Sequence, residues 1–77
     1  MISGNIIHID NRGNLIARSR KTPKEGAKVM DKRRAILGVV ALVFGPVERP
    51  YLVIRPNREI ERRMLSLVNE EVFMNDQ

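Results

Sequence analysis

One apolar run, Ala35 to Phe44, stops at Gly45-Pro46 and constrains what this chain can become more than any other stretch. Its Val, Ile and Leu content, with Gly38 inside and a proline stop, suits a long bent strand better than a helix. Strict alternation sets Leu37, Val39 and Val43 on one face and Ile36, Val40, Leu42 and Phe44 on the other, so both faces need cover. Two coverings are open: the C-terminal helix laid over the outer face, or a partner protein. The run is far shorter than the roughly 20 residues a membrane-spanning helix needs. Met1-Ile2-Ser3-Gly4 has no basic region followed by an apolar stretch, so the expectation is an intracellular, cytoplasmic protein with no membrane partner.

Shorter elements surround that strand. Ile6-Ile7-His8-Ile9, the turn cluster Asp10-Asn11-Arg12-Gly13 and Asn14-Leu15-Ile16-Ala17-Arg18 read as a hairpin. A loop carrying Arg20, Lys21, Pro23, Lys24 and Gly26 leads into a short strand around Lys28-Val29-Met30, and Asp31-Lys32-Arg33-Arg34 turns the chain. Tyr51-Leu52-Val53-Ile54-Arg55 lies between Pro50 and Pro56 as a further strand. The period then changes: Ile60, Met64, Leu67 and Val68 fall at helical spacing, Asn57 can cap the start, Glu59 and Arg63 stand four apart, and Asn69 can adopt the left-handed conformation at the end. Val72-Phe73-Met74 adds a last strand. The expectation is one all-β domain over 1–77, with strands near 4–10, 14–18, 27–30, 35–44, 51–55 and 71–74 and an amphipathic helix near 58–68. A small closed six-stranded β-barrel is its natural architecture.

A chain of 77 residues hides only about 60% of the surface its unfolded form exposes, which leaves little room for a deep site. With no cysteine and a single histidine, neither a disulfide framework nor a metal centre is expected, and no cofactor. No nucleophile with a base, carboxylate pair or Gly-x-Gly phosphate loop can be assembled, so the chain reads as a non-enzyme without a small-molecule substrate. His8 reads as an ordinary strand histidine; Asp10 and Asp31, both in turns, are expected to bond local backbone.

The net charge of +5 implies attraction to polyanions, RNA above all. Basic residues concentrate between Arg12 and Arg34, and Lys32, Arg33 and Arg34 are candidates to contact a phosphate backbone. A solvated, solubilising turn explains them equally well, because Phe44, Tyr51 and Phe73 are the only aromatics and give no interleaved stacking platform.

The connection Phe44-Gly45-Pro46-Val47-Glu48-Arg49-Pro50-Tyr51 combines a glycine that permits positive φ with two prolines that remove freedom around it. It reads either as a plain structural turn or as a preorganised apolar ridge of Phe44, Val47, Pro50 and Tyr51 ready to dock. Here the sequence closely resembles the core domain of the glycine-arginine-rich protein of H/ACA ribonucleoproteins, through Gly38-Val39, Val43-Phe44-Gly45-Pro46-Val47 and Pro50-Tyr51. The likeness extends through Gly4-Asn5-Ile6-Ile7-His8, Gly13, Val29-Met30-Asp31-Lys32-Arg33, Leu67-Val68-Asn69 and Val72-Phe73-Met74. Ala41 and Leu42 depart from it where polar residues are usual, and Asn69 where glycine is. Glycine-arginine arms are lacking, which implies a compact archaeal form.

The resemblance implies a barrel of the translation-factor-like, or reductase-isomerase-elongation-factor, type. It implies a non-catalytic subunit bound to the catalytic subunit of a pseudouridine synthase, supporting guide-RNA-directed pseudouridylation of ribosomal RNA through substrate loading and product release. H/ACA guide RNA and ribosomal RNA would be met mainly through the complex. Carried over residue by residue, Gly38, Val39, Val43, Phe44, Gly45, Pro46, Val47, Pro50 and Tyr51 become the expected docking surface, with Gly45 and the prolines as shapers and part of the set in the core. The alternative is a small basic barrel of ribosomal-protein type that binds RNA directly; a third reading is a translation-factor-like module detached from a larger enzyme.

Overall fold

Six strands close on themselves in the order β1-β2-β5-β4-β3-β6, with every neighbouring pair antiparallel. They are β1 (Ile2–Ile9), β2 (Leu15–Ser19), β3 (Lys28–Met30), β4 (Ile36–Phe44), β5 (Tyr51–Pro56) and β6 (Glu71–Met74), and a helical segment, Arg58–Leu67, precedes the last. The computed structural model describes residues 1–75. β1 begins earlier than its sequence suggests, at Ile2, because Ile2 pairs with Met74 and is held by β6.

Alternation fills the inside. Ile6, Leu15, Ala17, Val29, Leu52, Ile54, Val72 and Met74 are fully buried in one cluster. Close backbone approach matters at Gly38, where a Cβ would overlap the Arg55 carbonyl oxygen of the neighbouring strand.

β4 does not alternate as its sequence implies. The pairing slips between Val29 and Met30 opposite Leu37, and again between Val40 and Leu42. Each slip inserts an extra residue on β4 and so moves the following side chain to the other face. Leu37 and Val40 therefore join the core and Val43 packs against it. Ile36, Val39, Leu42 and Phe44 point out, so Val39 and Val40 have exchanged the faces that strict alternation assigned them.

The amphipathic helix expected near 58–68 is present over Arg58–Leu67 as a 3-10 helix, broken at Arg63 (φ −122°, ψ 22°). Asn57 makes no side-chain cap. Instead its Nδ2 donates to the Ile36 carbonyl at 3.1 Å and its backbone N–H to the Leu37 carbonyl at 2.7 Å. At the other end Asn69 takes φ 75° and donates its N–H to the Ile6 carbonyl at 2.7 Å. Ten residues are too few for a stable isolated α-helix. Tied to β4 and β1, they adopt the tighter helix, whose rise of about 2.0 Å per residue against about 1.5 Å reaches further between the anchors. Ile60, Met64 and Leu67 enter the barrel core. The helix thus does not provide the outer cover that was one of two options for β4: Leu42 and Phe44 stay 48% and 45% exposed. Among the described residues no helix is long and apolar enough to cross a membrane.

Two turns are closed by one pattern of bonds. In the first, Asp10 Oδ1 accepts the N–H groups of Arg12 (2.9 Å) and Asn14 (2.8 Å), and the Asp10 carbonyl accepts that of Gly13 (3.1 Å). In the second, Asp31 Oδ1 accepts those of Arg33 (2.8 Å) and Ala35 (2.9 Å), and the Asp31 carbonyl accepts that of Arg34 (3.0 Å). The fourth residue of each is left-handed, Gly13 at φ 81° and Arg34 at φ 67°. Both aspartates do the backbone work expected of them.

Candidate functional site

The outer surface of β2, β5 and β4 is built from cross-strand rows. One row runs His8, Ile16, Val53, Leu42, and the next runs Asn5, Arg18, Tyr51, Phe44. Ile16 is only 7% exposed yet stands outside the core cluster, so its neighbours on the outer face shield it. At the end of the second row the Phe44 and Tyr51 rings stack with centroids 5.4 Å apart, and the Arg18 guanidinium carbon sits 4.6 Å from the Tyr51 centroid. Cation, ring and ring form three layers beside the aliphatic row of Ile16, Val53 and Leu42. Stacking of this kind fixes side chains before any partner arrives, which lowers the entropy lost on association.

The connection between β4 and β5 extends this surface. Gly45 takes φ 90°, a conformation that L side chains rarely adopt, and a Cβ there would lie 3.0 Å from Tyr51 Cδ2. The turn that follows closes with the Arg49 N–H on the Pro46 carbonyl at 3.3 Å and carries Val47 out into solvent, 81% exposed. Pro50 by contrast is buried, and its carbonyl accepts the Ser19 N–H at 2.9 Å.

The nine residues singled out from the sequence thus occupy different places. Phe44, Gly45, Pro46 and Val47 are exposed, Val39 and Tyr51 are half-buried and face outward, Val43 leans on the core, and Gly38 and Pro50 are inside. Leu42, Val53, Ile16 and Arg18 belong to the same surface and were not among them. Leu42 shares the outward face with Phe44, as alternation along the strand placed it, but it stood outside the residues that carry the resemblance. The other three could be found only by knowing that β2 and β5 are neighbours, a pairing between segments more than thirty residues apart in the chain.

Lys32, Arg33 and Arg34 are all exposed on the second aspartate turn. Lys32 and Arg33 help line a shallow concavity with Arg63 and Ser66 of the C-terminal helix. A second cluster of charge sits where Arg20, Glu48 and Arg49 meet. Asp10 holds its proton less tightly than an ordinary carboxyl, chiefly because the Asn14 backbone N–H donates to its ionised form. Among the described residues no group of three or more His, Cys, Asp or Glu side chains could hold a metal ion.

Residues 3–77 match the family model described as the Gar1/Naf1 RNA binding region. An uncharacterized protein of Methanothermobacter thermautotrophicus is 44% identical over 57 residues, a match that covers 74% of this chain and 62% of that protein. An uncharacterized protein of Methanocaldococcus jannaschii is likewise 44% identical over 57 residues, covering 73% of this chain and 69% of that protein. The match to the first of these therefore spans less than two thirds of its length.

Proposed function

The chain belongs to the Gar1 family of RNA-binding, H/ACA-associated accessory proteins, and on that premise we propose that it docks on the catalytic subunit of a pseudouridine synthase. In this reading it catalyses nothing itself. It supports guide-RNA-directed pseudouridylation of ribosomal RNA in an archaeal cytoplasm by aiding substrate loading and product release. The observation that carries the reading is the state of Phe44: a large aromatic ring, fixed by stacking on Tyr51, is left 45% exposed beside Leu42 on a barrel whose own helix packs elsewhere. Rigid aromatics surrounded by apolar contacts are what protein interfaces use as anchors. Phe44, Val47 and Tyr51 supply the contact, while Gly38, Gly45, Pro46 and Pro50 shape the strand and corner that hold them.

The test is a binding titration of this chain against the synthase subunit without RNA. Phe44→Ala should weaken the complex by about 2 kcal/mol or more, and unchanged affinity would remove the ring from the interface.

Direct RNA contact through Lys32, Arg33 and Arg34 is a second reading, favoured by the exposure of all three on one turn and by the description of the family. If each neutralises a phosphate, replacing the three with alanine should flatten the dependence of log affinity on log salt by roughly 0.7 to 0.9 per residue. A slope that does not change would exclude this turn.

A further inference from the structure

Building on the docking reading above, we propose that Arg18 is the charged anchor of the docking face, and that the surface it meets is a protein patch with an apolar centre and a carboxylate placed to receive the guanidinium.

Arg18 is held in place by Tyr51, with 4.6 Å between the guanidinium carbon and the ring centroid, and Tyr51 is braced by Phe44 on its other side. Cation–π attraction positions a guanidinium without using its in-plane N–H donors. One of them, Nε, is enclosed and has no hydrogen-bond partner among the described residues, while the side chain as a whole is only half-buried. An enclosed Nε is out of direct reach of an incoming group, so the part of the guanidinium that an outside acceptor meets is its outer edge, with the two terminal NH2 groups, next to the exposed Phe44 ring. The rest of the face states what kind of acceptor. β2, β3, β4 and β5 contain no aspartate or glutamate, and their only charged residues are Arg18, Lys28 and Arg55.

The strands of the face are therefore aliphatic and aromatic in the middle with positive charge alone at their margins, and Glu48 of the β4–β5 connection lies between Arg20 and Arg49. A carboxylate on an apolar protein surface answers both features, because the planar guanidinium takes a carboxylate in a two-bond fork while Leu42, Val53 and Val47 need apolar contact. A phosphate backbone would answer the charge alone and leave the aliphatic row against water.

The experiment is calorimetric titration of the full chain against the synthase subunit, without RNA, at roughly 0.1 M and 0.5 M salt, which spans strong and weak screening. Wild-type affinity should fall as salt rises. Arg18→Met, which keeps most of the stem that covers Tyr51, should lose about tenfold or more in affinity and most of the salt dependence, while Phe44→Ala weakens binding but keeps that dependence. Arg18→Lys should recover the salt dependence and only part of the affinity, since an ammonium lacks the fork. Thermal unfolding of both Arg18 variants checks that the barrel is intact, and the lysine variant decides the matter if the methionine one unfolds. Wild-type affinity in Arg18→Met alongside weak binding by Phe44→Ala would sink the anchor and leave the docking face standing. No binding by the wild-type chain would overturn both. Loss of guide-RNA binding with unchanged synthase binding in Arg18→Met would overturn the proposal in favour of nucleic acid.

Discussion

Phe44, the last residue of β4, stands directly opposite Tyr51, the first of β5, and the two rings stack with 20° between their planes. Each therefore holds the other in the orientation that it shows to solvent. In a double-mutant cycle of Phe44→Ala and Tyr51→Ala, followed by urea unfolding of the four forms, the coupling energy should be about 1 kcal/mol. A coupling indistinguishable from zero would mean that the rings meet in passing and do not preorganise the face.

Gly38 offers a harsher test of the barrel itself. Any side chain there meets the backbone of Arg55 and Pro56, which cannot swing aside as a flexible side chain can. Gly38→Ala should cost about 2–3 kcal/mol, lowering the unfolding temperature by roughly 10–15 °C in a domain of this size. A loss below about 0.5 kcal/mol, within the range of ordinary surface changes, would contradict the close approach of β4 and β5.

The turn at Asp31 suggests a stabilising change. Gly13 occupies the left-handed position of the first aspartate turn, whereas Arg34 occupies it in the second at φ 67°. Left-handed backbone costs a non-glycine residue about 1–2 kcal/mol, and glycine gives part of that back through its freer unfolded chain. Arg34→Gly should raise stability by about 0.5–1 kcal/mol relative to Arg34→Ala, a comparison that removes the charge from both. Denaturant midpoints measure the difference, and a glycine variant no more stable than the alanine one would refute the strain.

Asp10 gives the pH prediction. Backbone donors, Asn14 first, hold its carboxyl below the ordinary value of 3.8. Folding therefore favours the ionised form, and the stabilisation is present above that ordinary value and lost as pH falls through the lower folded one. Asp10→Asn should lower stability at neutral pH and flatten the decline of the unfolding temperature in the acid range. An acid limb identical to that of the wild type would show that the carboxylate contributes nothing there.

Much of the barrel could be read from residues alone, because hydrophobic alternation and turn chemistry act locally. Asp10 and Asp31 revealed their turns by type, Gly45-Pro46 and Pro50 marked the corner, and Asn69 marked the end of the C-terminal helix. What stayed hidden depends on partners distant in the chain. The extra residues in β4 arise from its pairing with β3 and β5, so no pattern inside Ala35 to Phe44 could show that Val40 turns in and Val39 turns out. The helix type follows from anchors on Ile36, Leu37 and Ile6, which its own periodicity does not encode. Arg18 is one basic residue among fourteen until Tyr51 is known to lie across from it.

The closure of the six strands has a last consequence. Where its strands are paired on both sides the ring leaves little margin at which a visiting chain could pair its own amides and carbonyls, so strand addition, which rewards almost any extended peptide, is largely closed to strangers and to other copies alike. Recognition by this protein therefore falls chiefly to its side chains, and exchanging a few outward residues on two adjacent strands could redirect that choice without touching the frame.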